Sequence, residues 1–447
     1  MNQYYSCKPA CNESRRMSLN PIKSFIRKEW LITLISICSF TPFLSAQNIT
    51  QATNPQSVGF SSERLQRISD NMNDWVKKGW MNGAAGLIIR DGKIVFYSAA
   101  GYKDVDSKEL LRKDDIFRIA SQTKAITSVA AMMLYEEGKF LLNDPVSKYI
   151  PSYAHEQVLD KFNANDSSYT TVPAKRDVTI RDLLTHTSGI GYAQIGSKEM
   201  SAIYGKSHLT AGFYVTDESL ADAMTRLGTL PLQHQPGEKW TYGLNIDLLG
   251  RLVEIWSGMS LDAFFRTRIF EPLGMKDTYF NLPADKAGRL VNMYIEGAGH
   301  YAKQSKAFNV DIDYPLKPKT YFSGGGGLSS TILDYAIFLQ MLLNDGVYNG
   351  KRLLSNSTVN AMIMNQIGDL DLEGNKFGLG FMITTEKGSS MFPNQVGTFG
   401  WGGAYSTVYW ADPKEKMVTL FYRQMWGAHG TELDNKFRVL AYQALND

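Results

Sequence analysis

Two β-hairpin signals stand at opposite ends of this chain, and the long stretch between them has mostly helical character. Near the start, Leu87-Ile88-Ile89 and Ile94-Val95-Phe96-Tyr97 flank Arg90-Asp91-Gly92-Lys93, and Asp-Gly is a strong two-residue turn signal. Near the end, 404–411 and 417–424 flank Asp412-Pro413-Lys414-Glu415-Lys416. Short helical candidates fall at 182–185, 220–227, 246–257 and 261–270. Strands, then a helical insertion, then strands again predict an α+β fold. An antiparallel sheet flanked by helices is completed by both ends of the chain, with a large, mostly helical inserted lobe. The expected division is a linker at 47–60 and one domain at 61–445. Its α/β lobe comprises 61–142 and 335–445, its helical lobe 143–334, and a cleft is expected between them.

Individual helices follow from apolar spacing. Leu65, Ile68, Met72 and Trp75 recur at i, i+3, i+7 and i+10, which predicts a helix over 63–78. Ile126, Val129, Ala130 and Met133 mark one core face of a helix over 121–137, with Gly138 as its stop. A last helix is expected over 432–445.

The first 46 residues have the pattern of a signal peptide: Lys23, Arg27 and Lys28, an apolar run over 30–40, then Leu44-Ser45-Ala46 as a cleavage site. That run is short for a membrane anchor, which needs about 20 residues. The expectation is an exported protein that meets a membrane only during export. All three cysteines, Cys7, Cys11 and Cys38, lie in this leader, so a cysteine nucleophile, thiolate metal site or disulfide is not expected in the mature chain. The leader also holds six of the 47 basic and two of the 44 acidic side chains, leaving 41 against 42 and a net of −1. The formal charge of +3 therefore does not point to nucleic acid.

Ser121-Gln122-Thr123-Lys124 is the chain's one Ser-x-x-Lys. A serine hydroxyl needs a base beside it to attack a carbonyl. Residues i and i+3 share a helix face, and burial disfavours an ammonium, so a lysine so placed is a usable base. A serine in the first helical turn also meets free backbone N–H groups that favour an oxyanion. Taken alone, the pair fits equally a helix N-cap followed by a solvated lysine.

Further segments change that balance. Phe117 to Lys124, Leu183-Leu184-Thr185-His186-Thr187-Ser188-Gly189-Ile190, Pro236-Gly237-Glu238-Lys239-Trp240-Thr241-Tyr242, the glycine-rich stretch from Gly324 to Thr331, and Phe399-Gly400-Trp401-Gly402-Gly403 occur in that order. Together they resemble the serine β-lactamase-like family, and within it the class C and esterase branch. The resemblance implies a β-lactamase/transpeptidase-like fold and acyl-enzyme chemistry on Ser121. Lys124 and Tyr242 would be the general-base elements, and the backbone N–H groups of Ser121 and Ala404 the oxyanion hole. Gly402 and Gly403 would let substrate approach the strand edge.

Two departures bear on substrate. Where β-lactamases of this type carry Tyr-x-Asn, this chain has Tyr242-Gly243-Leu244 with Asn245 one place late, and Trp401 stands where they carry a lysine. Both remove groups suited to an anionic amide, and both resemble esterase members. Trp401, Gly402, Gly403, Leu244 and Asn245 are the expected pocket residues. A small ester is the first-ranked substrate, a D-amino-acid peptide the second and a β-lactam the third, with no cofactor and no metal. A non-catalytic binding protein is the rival of another class, and an anchored interaction protein a third option. His186 is expected to be a structural histidine bonded to backbone, and His429 a residue that could border the cleft. Gly324 to Gly327 lacks the ending of a phosphate loop and is expected to form a tight turn into the helix at Asp334.

Overall fold

The two hairpins meet in one sheet. In the computed structural model, which describes residues 48–193, 195–209, 218–296, 301–304, 306–307, 310–427 and 429–446, β1 (Gly83–Arg90) and β2 (Lys93–Asp104) turn through Asp91 and Gly92. Both turn residues are left-handed, at φ 49° and 70°, as a tight primed turn requires. The C-terminal strands are β4 (Phe399–Gly403), β5 (Thr407–Asp412) and β6 (Met417–Tyr422), with the short β3 (Met382–Ile383) beside β4. β6 pairs antiparallel with β1 from Met417↔Arg90 to Tyr422↔Ala85, which joins the chain ends at the sheet centre. The segment expected as a signal peptide, with the three cysteines, lies outside the described residues.

Three expectations need correction. Among the described residues the sheet has nine strands and is mixed, because Thr50–Gln51 adds parallel to the β2 edge at Lys93 and Ile94. The stretch expected as a linker thus supplies an edge strand, and it buries Phe60 completely. β5 starts at Thr407 rather than 404, since Ser406 N–H closes a turn onto the Gly403 carbonyl at 3.0 Å. The inserted region carries helices and also an antiparallel hairpin, Gln157–Phe162 with Tyr169–Pro173.

Alternation fixes the two faces of the sheet. Phe399, Tyr409, Ala411, Leu420, Leu87 and Ile89 point inward to the larger core. Trp410, Phe421, Ile88 and Phe96 point outward, where they meet α1 (Ser62–Lys77) and the C-terminal helix (Gly430–Gln443). The predicted apolar stripe of α1, Leu65, Ile68, Met72 and Trp75, is the buried one. α2 (Thr123–Glu136) is buried from Thr123 through Leu134, so it is enclosed on all sides rather than amphipathic. It begins two residues later than expected, after a tight 3-10 turn over Ala120–Gln122.

α3 (Ile180–Thr185) and α4 (Asn245–Ser257) carry the insertion's share of the site. The chain entering α3 is held by buried Glu156, whose Oε2 accepts the Val178 N–H at 2.9 Å. Burial, seconded by Asp177 and Asp182, pushes the Glu156 carboxyl up to about 8. The folded state therefore favours the protonated acid. That contribution is whole below the unfolded value near 4.5 and is lost as pH rises through about 8. Glu156→Gln keeps the acceptor and cannot ionise. Its Tm is expected to exceed that of the parent by a margin that widens from pH 5 to pH 8. A margin constant across that range in scanning calorimetry would show that Glu156 is ionised throughout.

Candidate active site

The nucleophile segment is held from both sides. Phe117–Arg118 pairs antiparallel with Ser329–Ser330, and the Ile119 N–H bonds the Leu328 carbonyl at 3.1 Å. The buried Arg118 guanidinium donates to the Ile312 carbonyl at 2.5 Å and the Val291 carbonyl at 2.7 Å. Across the cleft, a β-carbon at Gly403 would lie 2.4 Å from the Ile119 carbonyl oxygen, so only glycine lets the end of β4 come this close. Between these anchors Ala120 takes φ 44°, a conformation that costs a non-glycine residue of order 1 kcal/mol and needs surroundings that enforce it. Ser121 follows in the 3-10 turn that opens α2.

Lys124 lies one turn on and is 3% exposed. Its Nζ donates to Ser121 Oγ at 3.3 Å, to the Tyr192 hydroxyl at 3.0 Å and to the Gly325 carbonyl at 2.6 Å. These three acceptors match the three donors of an ammonium. The same nitrogen sits 4.6 Å from the centre of the Tyr242 ring. The Tyr242 hydroxyl accepts from Trp401 Nε1 at 3.3 Å, and Tyr242 lines the cleft together with Ser121, Trp401, Gly402 and Ala404. Tyr242 thus faces the lysine through its ring, while its hydroxyl is turned to the tryptophan.

Behind the lysine lies a layer for which the sequence held no motif. Tyr192 is buried against the Tyr242 ring, with centroids 5.5 Å apart. Asp247 on α4 is buried and accepts from Ser323 Oγ at 2.6 Å. Burial raises its carboxyl above the usual range, against the Ser323 bond, the Lys124 charge and the Gly325 N–H. A β-carbon at Gly325 would fall 2.2 Å from Asp247 Oδ2. The glycine run is therefore a close packing of backbone against a buried carboxylate, and this presents the Gly325 carbonyl to Lys124.

Leu244 and Asn245 do not line the cleft, contrary to expectation. Both are fully buried, and Leu244 belongs to the main core. Asn245 donates to His186 Nδ1 at 3.0 Å and to the Ile190 carbonyl at 3.3 Å, and accepts from Ser188 Oγ at 2.5 Å. The one-place shift of the asparagine turns its amide to the back of the wall. His186 is accordingly bonded to a side chain rather than to backbone. It caps α3 at φ 58°, and burial, with the Lys124 charge second, holds its ring well below the usual histidine range. It stays neutral. His429 does not line the cleft. Its Nδ1 pairs with Glu296 Oε1 at 2.6 Å, and its ring stacks on Trp80.

The cleft holds about 740 Å³. Trp401 stands within aromatic contact of Trp240, Tyr242 and Phe377 at one side of Ser121. The fully enclosed Gln122, next to the nucleophile, is fixed by bonds from the Tyr335 and Tyr422 hydroxyls.

Known proteins share this arrangement of sequence and fold. An uncharacterized protein of Mycobacterium tuberculosis is 35% identical over 361 residues, covering 77% of this chain and 86% of its own. Esterase EstB of Burkholderia gladioli is 27% identical over 346 residues, covering 74% and 82%. The solved structure of EstCE1, described as a hydrolase with promiscuous acyltransferase activity, superposes with a TM-score of 0.72 at 23% identity, over 88% of this chain and 99% of that one. The family model described as Beta-lactamase matches residues 66–443, so the chain belongs to the Beta-lactamase family.

Proposed function

We propose that this chain is an exported serine carboxylesterase that works through an acyl-enzyme on Ser121. The observation that carries the reading is Lys124 Nζ at 3.3 Å from Ser121 Oγ, at the floor of a cleft whose walls hold Trp401. In its amine form Lys124 takes the Ser121 proton as Oγ attacks the ester carbonyl carbon. The Ser121 and Ala404 backbone N–H groups stabilise the oxyanion. Collapse breaks the bond to the alkoxy oxygen, which takes the proton from Lys124 as it leaves. Water then attacks the acyl carbon, returns its proton to the base and frees the acid.

Trp401 supports an ester over an anionic amide, because an indole brings no charge to a carboxylate. EstB, named an esterase, and EstCE1, described as a hydrolase with acyltransferase activity, support the same chemistry. The test is a panel of nitrophenyl esters, D-alanyl peptides and a chromogenic cephalosporin. Ester kcat/KM is expected to exceed the others by about 100-fold, the size of effect that a charged or polar contact missing from the pocket produces. Fast cephalosporin or D-alanyl turnover with poor ester turnover would overturn the assignment.

A further inference from the structure

The cleft does not end at Ser121. It continues past the edge of β4 onto the outer face of the sheet, where Val408 and Trp410 line it beside Met382. The pairing register accounts for this. Met382 stands opposite Gly400, Gly400 opposite Trp410, and Gly402 opposite Val408, so all five project to one face. At Gly400 the space is taken, since a β-carbon there would lie 2.6 Å from the Tyr409 carbonyl oxygen and 3.3 Å from the Trp410 ring, so the trough opens at Gly402. A β-carbon at Gly402 would meet nothing closer than 3.4 Å, so the passage from Ser121 into the trough is open there. Met391 and Phe392 form one wall, and Thr431, Asn435 and Arg438 of the C-terminal helix the other.

The charged groups of that wall have partners. Arg438 lies 3.6 Å from the Phe392 ring centre and 5.0 Å from that of Trp410, and donates to Asn435 Oδ1 at 2.6 Å. Asp434 is bound by the buried Arg423 guanidinium. Methionine, valine and aromatic surface lines the floor and the Met391 wall, with Met391 53% exposed, while Glu373, Asn375, Thr384 and Asn394 line the cleft elsewhere. In a soluble protein, contiguous apolar surface open to water beside a reactive centre marks a ligand site.

We propose that this outer trough holds a linear hydrocarbon chain of the ester, passing over Gly402 from the carbonyl at Ser121. The inference rests on the esterase reading and narrows its substrate class to esters with an extended alkyl chain. The path depends on Gly402, where a side chain would project into the passage.

The experiment uses two ester series, nitrophenyl acyl esters from acetate to octanoate and alkyl acetates from methyl to octyl. In one series kcat/KM is expected to rise by about threefold or more per methylene, as burial of each CH₂ dictates. The series that rises identifies the chain's source, acyl or alkoxy. Thr431→Trp narrows the trough and Met391→Asp places a charge in it. Both positions are exposed, so folding is not at risk. Each variant is expected to lower the octyl-to-short-chain ratio of kcat/KM at least tenfold. The proposal is overturned if both series are flat in the parent, or if both variants keep the parental slope. The esterase reading fails separately, if no ester in either series is hydrolysed in a Ser121-dependent way.

Discussion

Ser121→Ala is expected to lower ester kcat by a factor of about 10⁵, the scale seen when the nucleophile of a serine hydrolase is removed. The loss should be confined to chemistry. Among the described contacts, Ser121 Oγ takes one hydrogen bond, from Lys124 at 3.3 Å. Its removal changes stability by no more than about 1 kcal/mol, the ordinary net worth of such a bond. Ala120 keeps the strained turn, because Arg118, Leu328 and Gly403 impose it and none of them depends on the serine hydroxyl. Hydrolysis of a nitrophenyl ester and labelling by a serine-directed phosphonate, read by intact mass, check this together with Tm. A variant that retains hydrolysis within 100-fold of the parent, or that is labelled equally, would remove Ser121 from the mechanism. A parent that folds and is never labelled would favour the binding-protein alternative.

The elements that carry Ser121 were legible because their signals are local. Asp91-Gly92 dictates a tight turn from two adjacent residues, and the α1 stripe repeats within one helix. The Ser121–Lys124 pair is likewise a matter of one helical turn. What surrounds it is brought from far along the chain. Tyr192 and Gly325 reach Lys124, and Asp247 packs on Gly325, only once α4 and the Ser323 turn have packed on α2; the glycine-rich stretch marks Gly325, while no spacing marks Tyr192 or Asp247. Asn245 was misjudged for the same reason. Its distance in sequence from Tyr242 is known, but whether its amide faces the cleft or His186 depends on where α4 begins. The parallel strand at Thr50–Gln51 has only two residues, too few for alternation to declare itself.

Lys124 gives the second large effect, and its variants separate two roles. Lys124→Met keeps most of the volume and loses both charge and base. Ester kcat/KM is expected to fall about 10³-fold, within the range for removing a general base. Lys124→Arg restores a cation that can reach the same acceptors, but a guanidinium does not give up its proton near neutral pH. If Lys124 accepts the Ser121 proton, arginine rescues nothing. If it only stabilises negative charge, arginine recovers a large part of the activity, and the general-base assignment falls. The control is Tyr192→Phe. It removes one of the three acceptors of Lys124 Nζ and leaves Ser121 Oγ and the Gly325 carbonyl in place. Its loss in kcat is expected to be about tenfold, the scale of one hydrogen bond, with KM unchanged, because Tyr192 touches Lys124 and is not among the residues lining the cleft. A Tyr192→Phe variant that keeps the parental kcat would show that Tyr192 packs against the site without positioning the lysine.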